Sequence, residues 1–321
     1  MKGLVNILRI FSAFLVFIFL FTNNTFAQKR FRQHPPKNVH HTPRNATTNF
    51  LWQIYEPINL DQKLFAEAVK NLKIPNYVKV ADVRLHLTNR ARHVVQKHIL
   101  KNFSSKRSLE RLATLALMYK PIVEKIFVNN KFPLDLKYIM FLESHCVGNA
   151  KSDSRDPAIG YWQFKSQAAR WVGLKINSAI DERMNIVSST QGFIRYITNV
   201  NKKYDNYVFA IMSFYLGPKG CDDMLKKLRV KNSKSLELNH QWHFYIYLFI
   251  AYKLVFSKIL PKLKAPLRIY GAKNCNGLTV TQICRKYKIK PEIFYIFNRW
   301  LKINRVPNDN KNIILIPLKT I

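Results

Sequence analysis

Glu143 is the residue of this sequence whose position points most directly to chemistry. The segment that begins at Pro133 predicts a helix with that proline at its first position, where the missing N–H costs nothing. Leu136, Ile139 and Met140 precede Glu143 by seven, four and three residues, so all four residues share one helical stripe. Because this stripe should face the core, we expect Glu143 to lie among apolar side chains.

A carboxyl group in such a setting can do proton chemistry. Loss of hydration disfavours the charged form of Glu143, which raises its pKa and lets it donate a proton near neutral pH, as a general acid must. The alternative interpretation is a Glu at an interface that forms an ion pair with a Lys or Arg. The helix by itself leaves both interpretations open.

Two further blocks follow Glu143-Ser144 along the chain. Gly160-Tyr161-Trp162-Gln163 comes after a polar loop, and Asp181-Glu182-Arg183 comes next. In this order and spacing, the three blocks resemble the lytic transglycosylases of glycoside hydrolase family 23, most closely the D-type membrane-bound lytic murein transglycosylases. The resemblance implies a mainly α, lysozyme-like catalytic domain.

The resemblance also implies a reaction. Glu143 matches the sole catalytic acid/base of this family, which cleaves the β-1,4 bond between N-acetylmuramic acid and N-acetylglucosamine in peptidoglycan. The family's product carries a 1,6-anhydro ring. One carboxylate suffices because the N-acetyl group of the substrate can stabilise the charge that develops at the anomeric carbon. The resemblance implies no cofactor and no metal.

Substrate-binding residues follow from the same resemblance. Gln163 matches a glutamine that contacts sugar, and Tyr245 matches an active-site tyrosine. Ser144 and a loop serine, either Ser152 or Ser154, are expected to supply hydrogen bonds.

Other residues near these blocks are expected to be structural or depart from the family. We expect Trp162 to be a buried indole, not a platform for sugar stacking. Asp181, Glu182 and Arg183 are expected to form an ion-pair and capping cluster. Tyr215 stands where many relatives carry Asn in an Ala-Tyr-Asn-x-Gly-Pro-Gly motif.

The N-terminal residues 1–27 predict an export signal. Lys2 and Arg9 supply positive charge, a short apolar stretch follows, and Thr25-Phe26-Ala27 forms a cleavage site of the small-residue type. The apolar stretch is shorter than the roughly 20 residues that a membrane span needs, although a retained signal anchor is the alternative. No Cys lies near the cleavage site, so we do not expect a lipid-anchored lipoprotein. We therefore expect an exported protein of the periplasm or cell envelope.

Residues 28–50 predict a basic, flexible linker, because they are rich in Lys, Arg and Pro and lack periodicity. His34, His40 and His41 lie in this linker without neighbouring Cys or carboxylate ligands. They therefore favour a solvated tail over a metal site.

The formal charge of +35 calls for an anionic partner or a compositional bias. Nucleic acid is excluded as a partner by the export signal, which leaves peptidoglycan and an anionic membrane surface. The abundance of Lys, Asn, Ile, Phe and Tyr also fits a biased genome, so the charge does not identify a substrate. Hydrophobic content of 48% argues against a disordered chain.

Residues 51–118 predict an N-terminal helical arm that packs against the catalytic domain. Its apolar residues follow a helical period, which assigns helix to the stretch carrying Val83, Leu87, Val94, Val95 and Ile99. The pattern continues beyond this arm through Pro121, where we expect a break or a kink.

Residues 119–260 predict the catalytic domain. After Gln163, a helix that should end at Gly173 is indicated by Ala168, Ala169, Trp171 and Val172, and another helix should start near Asn185. Tyr207 to Leu216 predicts a further helix that ends at the Gly217-Pro218 sequence. The apolar, aromatic stretch over residues 238–260 predicts a buried core helix, not a membrane span.

Residues 266–321 predict a small α+β module. The pattern indicates a strand at 267–270, helices at 279–287 and 291–300, and a strand at 313–317. This βααβ order, with Gly277-Leu278-Thr279 and Ile316-Pro317, resembles a divergent LysM domain, which binds N-acetylglucosamine chains. A helical hairpin without affinity for sugar is the alternative.

Four cysteines follow the signal: Cys146, Cys221, Cys275 and Cys284. In an oxidising compartment they could form disulfides, with Cys275–Cys284 conceivable within the small module, but the spacing does not select one pairing. Cys146 has no motif-linked His that would make it a nucleophile. The spacing of the cysteines does not predict a zinc site.

The sequence thus predicts a lytic transglycosylase with a wall-binding tail, and it leaves two alternatives. One is a muramidase that uses water and yields a reducing end. The other is a catalytically inactive wall-binding or scaffold protein that keeps the fold. The oligomeric state is left open.

Overall fold

The computed structural model describes Trp52 and residues 55–272, 274–309 and 312–319. All of these residues belong to one compact unit, Pro43–Ile321. The predicted signal peptide, residues 1–27, and the predicted linker, residues 28–50 with its three histidines, lie outside the described residues.

Most of the described chain is helical, which confirms the mainly α prediction. The α-helices are α1 Gln62–Phe65, α2 Asn89–Asn102, α3 Lys106–Asn129, α4 Lys137–Ser144, α5 Ser166–Trp171, α6 Ile186–Tyr204, α7 Tyr207–Leu228, α8 Phe244–Ile259, α9 Val280–Tyr287 and α10 Pro291–Phe297. A π-helical turn follows α1, and there are 3-10 turns at Leu134–Leu136, Glu182–Met184 and Leu260–Lys262.

Two small sheets complete the described structure. The strands are β1 Tyr77–Val80, β2 Val83–Leu87, β3 Ser235–Leu238, β4 Leu267–Ala272 and β5 Ile314–Lys319. The first sheet has the order β1-β2-β3, in which β2 is antiparallel to β1 and parallel to β3. The second sheet pairs β4 with β5 in antiparallel register.

The β1–β2 hairpin corrects the prediction of an entirely helical arm over residues 51–118. Val83, Leu85 and Leu87 are buried, whereas Arg84 between them is exposed and His86 is partly buried. This alternation has the period of two that is typical of a strand with one buried face. The helical prediction for Val83 and Leu87 was wrong because it combined them with the true helical stripe of α2.

Helix α3 runs without interruption through Pro121. A proline inside a helix removes one backbone hydrogen bond, yet Met118 and Val123 on either side are buried and hold the helix in place. Of the two outcomes expected at Pro121, the break is therefore wrong, and the kink stays a prediction. The predicted boundary between residues 118 and 119 falls inside this continuous helix.

The approach to α4 differs slightly from the prediction. Pro133 precedes a 3-10 turn, and the α-helix itself begins only at Lys137. Asp135 in this turn accepts a hydrogen bond from the backbone N–H of Ala81 and pairs with Lys253 of α8. The turn therefore links the β1–β2 hairpin, α4 and α8.

Helix α7 changes direction at Gly217, whose φ of 74° and ψ of 161° are not helical. The predicted end of a helix at this glycine is thus partly confirmed, but Pro218 starts a further helical segment that reaches Leu228. The chain then forms β3, so the helix predicted from Leu238 begins at Phe244 instead.

Helix α8 lies in the core. Together with the 3-10 turn that follows it, the segment Phe244–Lys262 has the length and composition of a membrane span, but 61% of its apolar window is buried within the protein. Ile246, Phe249 and Ile250 are completely buried. The prediction of a buried core helix is confirmed.

The C-terminal unit has the predicted strand–helix–helix–strand order, β4-α9-α10-β5. Thr279 and Gln282 form a capping box at the start of α9. Ile283, Phe294 and Ile314 are completely buried in a small cluster that also includes Ile180 of the preceding domain. Other residues of the unit belong to the main core: Leu267, Ile296, Phe297 and Leu315.

All four cysteines are buried, and no disulfide joins any two of them. The conceivable Cys275–Cys284 pairing is therefore absent from the structure. Burial raises the pKa of each of these thiols, most strongly that of Cys146, so the thiolate form is disfavoured.

Candidate active site

Glu143 lies in the last turn of α4, where the helix meets the core. Leu136, Ile139 and Met140 are completely buried, as the shared stripe predicted, and the Glu143 side chain is partly buried beside them. The helix ends immediately afterwards, because His145 adopts a left-handed conformation with φ of 51°. The local sequence therefore places one carboxyl group at the end of a short apolar helix.

Tyr245 provides the hydrogen-bond partner of this carboxyl group. It lies in the first turn of α8, and its hydroxyl donates a hydrogen bond of 2.5 Å to Glu143 Oε1. His243 caps the same helix, since its Nδ1 accepts a hydrogen bond from the backbone N–H of Tyr245 at 3.3 Å. The cap and the buried phenol ring fix the position from which Tyr245 reaches Glu143.

The environment of Glu143 favours its neutral form. Burial raises the pKa of Glu143 to about 7, and the hydrogen bond from Tyr245 opposes this rise. Burial and the nearby charge of Glu143 in turn raise the pKa of Tyr245 well above its usual value, so the phenol remains a donor. Among the described residues, no Lys or Arg forms an ion pair with Glu143, which argues against the interfacial ion-pair interpretation.

Tyr215 is a member of the site whose role the sequence did not reveal. Its ring stacks on that of Tyr245 with centroids 4.3 Å apart and planes inclined by 21°. Burial and the charge of Glu143 raise the pKa of Tyr215 to about 12. The signal was its unusual occurrence at a position where the resembling family carries Asn.

Ser144 and Gln163 hold backbone groups around the site. The Ser144 hydroxyl is buried and donates to the carbonyl oxygen of Tyr161 at 2.7 Å. The Gln163 amide donates to the carbonyl oxygens of Ala150 and Gly160 at 3.0 and 2.9 Å. These contacts tie α4 to the turn that carries Gln163, and substrate binding by Ser144 and Gln163 stays a prediction.

Ser152 and Ser154 lie together on the loop before this turn. Their hydroxyl oxygens are 3.2 Å apart, Ser152 Oγ accepts from the backbone N–H of Ala158, and Ser154 donates to the carbonyl oxygen of Asp156. The structure therefore brings the two alternative loop serines into one hydrogen-bonded loop. Their predicted contact with substrate stays a prediction.

Trp162 has the structural role that the sequence predicted. It is completely buried, stacks on Phe193 with centroids 3.9 Å apart, and donates from its indole N–H to Thr190 Oγ1 at 3.1 Å. Its position in the core excludes it from sugar stacking.

Asp181, Glu182 and Arg183 form the predicted ion-pair and capping cluster. Arg183 Nη2 pairs with Asp181 Oδ2 at 2.7 Å, and Asp181 also accepts from the backbone N–H of Arg183. Glu182 accepts a hydrogen bond of 2.7 Å from the backbone N–H of Lys175. Each of these carboxyl groups therefore has a structural partner.

The part of the chain that the structure describes contains no group of three or more His, Cys, Asp or Glu residues that could hold a metal ion. The chemistry that these residues can perform is proton transfer by one carboxyl group. With a pKa of about 7, Glu143 can donate a proton near neutral pH and then accept one as a carboxylate.

We compared the sequence with known protein families and with curated proteins. No curated protein matched the sequence. Residues 129–236 match the family model described as Transglycosylase SLT domain; this stretch contains Glu143, Gln163 and Tyr215 and ends before Tyr245. The mainly helical fold with small sheets is consistent with the lysozyme-like fold of such a domain. The match supports a lytic transglycosylase family for this chain and indicates that it acts on peptidoglycan.

Proposed function

We propose that this protein is a peptidoglycan lytic transglycosylase of the glycoside hydrolase family 23 type, similar to the D-type membrane-bound enzymes. It cleaves the β-1,4 bond between N-acetylmuramic acid and N-acetylglucosamine and leaves a 1,6-anhydro ring on the muramoyl product. The observation that carries this proposal is the contact between Tyr245 and Glu143, a partly buried carboxyl group with no cationic partner among the described residues.

Glu143 acts first as an acid. Its proton goes to the glycosidic oxygen, the bond from that oxygen to the anomeric carbon breaks, and the N-acetyl group of the substrate stabilises the positive charge that results. A pKa of about 7 keeps a large fraction of Glu143 protonated at neutral pH. The Tyr245 hydroxyl then stabilises the carboxylate that forms, because hydrogen bonds to charged oxygens are strong.

Glu143 acts next as a base. Its carboxylate takes the proton of the muramoyl 6-hydroxyl, whose oxygen bonds to the anomeric carbon and closes the anhydro ring. The carboxyl group is again protonated at the end of the cycle, and no water is consumed. One protein carboxyl group therefore serves both steps.

We assign the protein to the periplasm or cell envelope on the basis of its predicted signal peptide. The βααβ order of the C-terminal unit supports the LysM-type prediction, and in this proposal the unit binds N-acetylglucosamine chains. The large positive charge would favour contact with an anionic wall or membrane surface.

The test is product analysis by mass spectrometry after incubation with purified sacculi. We expect products lighter by one water than those of hydrolysis, and a loss of activity of about 10²- to 10⁴-fold in Glu143→Gln. Glu237→Gln, which alters an exposed carboxyl group on β3, is the matched control and should retain activity.

Two results would contradict the proposal. Products with a reducing end would identify a hydrolytic muramidase instead. A wild-type protein that binds sacculi but releases nothing would identify an inactive wall-binding scaffold.

A further inference from the structure

Tyr215 occupies a defined position beside the proton-donating pair. It lies in α7, two residues before the break at Gly217, and α7 brings it against the first turn of α8. Its ring faces that of Tyr245 at a centroid distance of 4.3 Å and an angle of 21°. A nearly parallel ring at this distance restricts how far the Tyr245 phenol can tilt.

The Tyr215 ring is itself held by its neighbours. The Phe244 ring meets it edge-on at a centroid distance of 5.5 Å, and the His243 ring lies 5.3 Å away. His243 also caps α8 at the backbone N–H of Tyr245. The ring of Tyr215 and the start of α8 therefore form one packed unit around Tyr245.

The hydroxyl of Tyr215 takes no part in this arrangement. It is buried and has no hydrogen-bond partner among the described residues. A buried hydroxyl without a partner costs stability, so the Tyr215 hydroxyl does not contribute to holding the ring in place. The ring is the part of the side chain that contacts Tyr245.

We propose that Tyr215 is a positioning residue whose ring, not its hydroxyl, holds the Tyr245 phenol in hydrogen-bonding position on Glu143. Any effect of Tyr215 on enzymatic activity rests on the proposed function. Its effect on the ionisation of Glu143 can be measured without any activity.

Among the residues that the structure describes, three tyrosines interact electrostatically with Glu143: Tyr215 from α7, and Tyr245 and Tyr252 from α8. Burial raises the pKa of all three, so they stay neutral when Glu143 titrates near pH 7. His243 contacts Tyr215, and burial lowers the pKa of this His below its usual value. His145, two residues after Glu143, is joined to Tyr252 by a hydrogen bond of 2.9 Å between its Nε2 and the Tyr252 hydroxyl. The experiment therefore follows the Glu143 carboxyl carbon itself.

The experiment titrates the Glu143 carboxyl carbon by NMR in the full-length protein labelled with carbon-13 at Glu, with Glu143→Gln used to assign the signal. The variants are Tyr215→Met, which removes the ring, and Tyr215→Phe, which removes only the hydroxyl. Loss of the Tyr245 hydrogen bond must raise the pKa of Glu143, since that bond stabilises the carboxylate. We expect Tyr215→Met to raise the pKa of Glu143 most of the way to its value in Tyr245→Phe. In Tyr215→Phe, the pKa of Glu143 should keep its wild-type value.

Phe214→Met is the matched control. Phe214 is the neighbouring aromatic residue of α7, but its ring packs against Phe193 and Tyr196 instead of Tyr245. It should lose stability without a shift in the pKa of Glu143. The alkaline limb of sacculus digestion should move to higher pH in Tyr245→Phe and Tyr215→Met. It should stay in place in Tyr215→Phe and Phe214→Met.

Two results would overturn the inference. An unchanged pKa of Glu143 in Tyr215→Met would show that the stacking does not position Tyr245. A shift in Tyr215→Phe as large as that in Tyr215→Met would assign the effect to the hydroxyl. If Tyr215→Met does not fold, Tyr215→Leu provides the same comparison. A protein that digests no sacculi can still be titrated, so failure of the proposed function and failure of this inference are distinguishable.

Discussion

The Glu143 site and the Asp181–Arg183 cluster both place a carboxyl group inside the protein, but they give it different partners. Glu143 receives one hydrogen bond from the neutral phenol of Tyr245. Asp181 receives two from the guanidinium of Arg183, at 2.9 Å to Oδ1 and 2.7 Å to Oδ2. The side chains of Asp181 and Arg183 are 4% and 5% exposed, so this ion pair is shielded from water.

The difference shows that burial alone does not decide whether a carboxyl group can exchange its proton near neutral pH. A buried carboxylate joined to a guanidinium loses stability when that partner is removed, so the two groups act as one structural pair. A buried carboxyl group with only a phenol partner has a raised pKa and can exchange its proton near neutral pH. The partner thus distinguishes the ion-paired carboxyl group of Asp181 from the proton-exchanging carboxyl group of Glu143.

The two regions are also connected. Arg183 donates to the carbonyl oxygen of Phe164 at 3.3 Å, directly after Gln163. Gly160, at the other end of this turn, has φ of +88°, and a Cβ there would lie 1.9 Å from the Arg183 carbonyl oxygen. The ion-pair cluster therefore supports the turn that carries a predicted substrate-binding residue.

Arg183→Met should produce the largest change in stability. Removing the guanidinium leaves the Asp181 carboxylate buried without its cation, at a cost of about 3–5 kcal/mol in the free energy of unfolding. Urea unfolding followed by circular dichroism measures this loss. Adding Asp181→Asn to Arg183→Met should recover part of the lost stability, since no unpaired charge then remains.

Lys219→Met is the control for Arg183→Met. It breaks the Lys219–Asp223 pair, whose side chains are 69% and 66% exposed, and should cost less than about 1 kcal/mol. If the two variants lost equal stability, the distinction between a buried and an exposed ion pair would fail here.

Local patterns in the sequence were sufficient for several of these features. The stripe of Leu136, Ile139 and Met140 predicted where Glu143 would lie, and the three-residue run from Asp181 to Arg183 predicted its own ion pair. The strand–helix–helix–strand order of the C-terminal unit was also predicted from local patterns, although α10 ends at Phe297 instead of residue 300.

Contacts between distant parts of the chain could not be predicted from local patterns. Glu143 and Tyr245 are 102 residues apart, and only a family resemblance connected them. The stacking of Tyr215 on Tyr245 had no signal beyond an unusual residue type. Strand β3 was missed because its four residues form a strand only through pairing with the distant β2.

The pH dependence of stability should separate Glu143 from ion-paired carboxyl groups. The pKa of Glu143 rises from 4.5 in a model peptide to about 7 in the folded protein, so the folded state binds the proton more tightly. This stabilisation is fully present below pH 4.5 and is lost as the pH rises through 7. Relative to Glu143→Gln, the wild-type protein should therefore lose up to about 3 kcal/mol between pH 4.5 and 8.

Urea unfolding of the wild-type protein and of Glu143→Gln at both pH values measures this difference. Glu237→Gln, which changes an exposed carboxyl group on β3, serves as the control for the Glu-to-Gln substitution itself. A difference between wild type and Glu143→Gln that stays constant with pH would mean that Glu143 is ionised throughout, like a carboxylate with a cationic partner.

Tyr245→Phe makes the smallest change, the loss of one hydroxyl group. It tests whether the phenol partner of Glu143 influences the pKa of that carboxyl group. The hydrogen bond to Glu143 stabilises the carboxylate, and a hydrogen bond to a charged group contributes about 1.5–3 kcal/mol. Without it the pKa of Glu143 should rise by roughly 1–2 units, so the alkaline limb of sacculus digestion should move to higher pH. Digestion rates between pH 5 and 10 measure this shift.

Tyr247→Phe removes a hydroxyl from the same helix, but that hydroxyl donates to the backbone carbonyl of Asn239, away from Glu143. The alkaline limb should therefore stay in place in this variant. A limb that moved to lower pH in Tyr245→Phe would show that the phenol stabilises the protonated carboxyl group instead. Glu143 would then owe its high pKa to Tyr245 as well as to burial, and the phenol would favour the acid step over the base step.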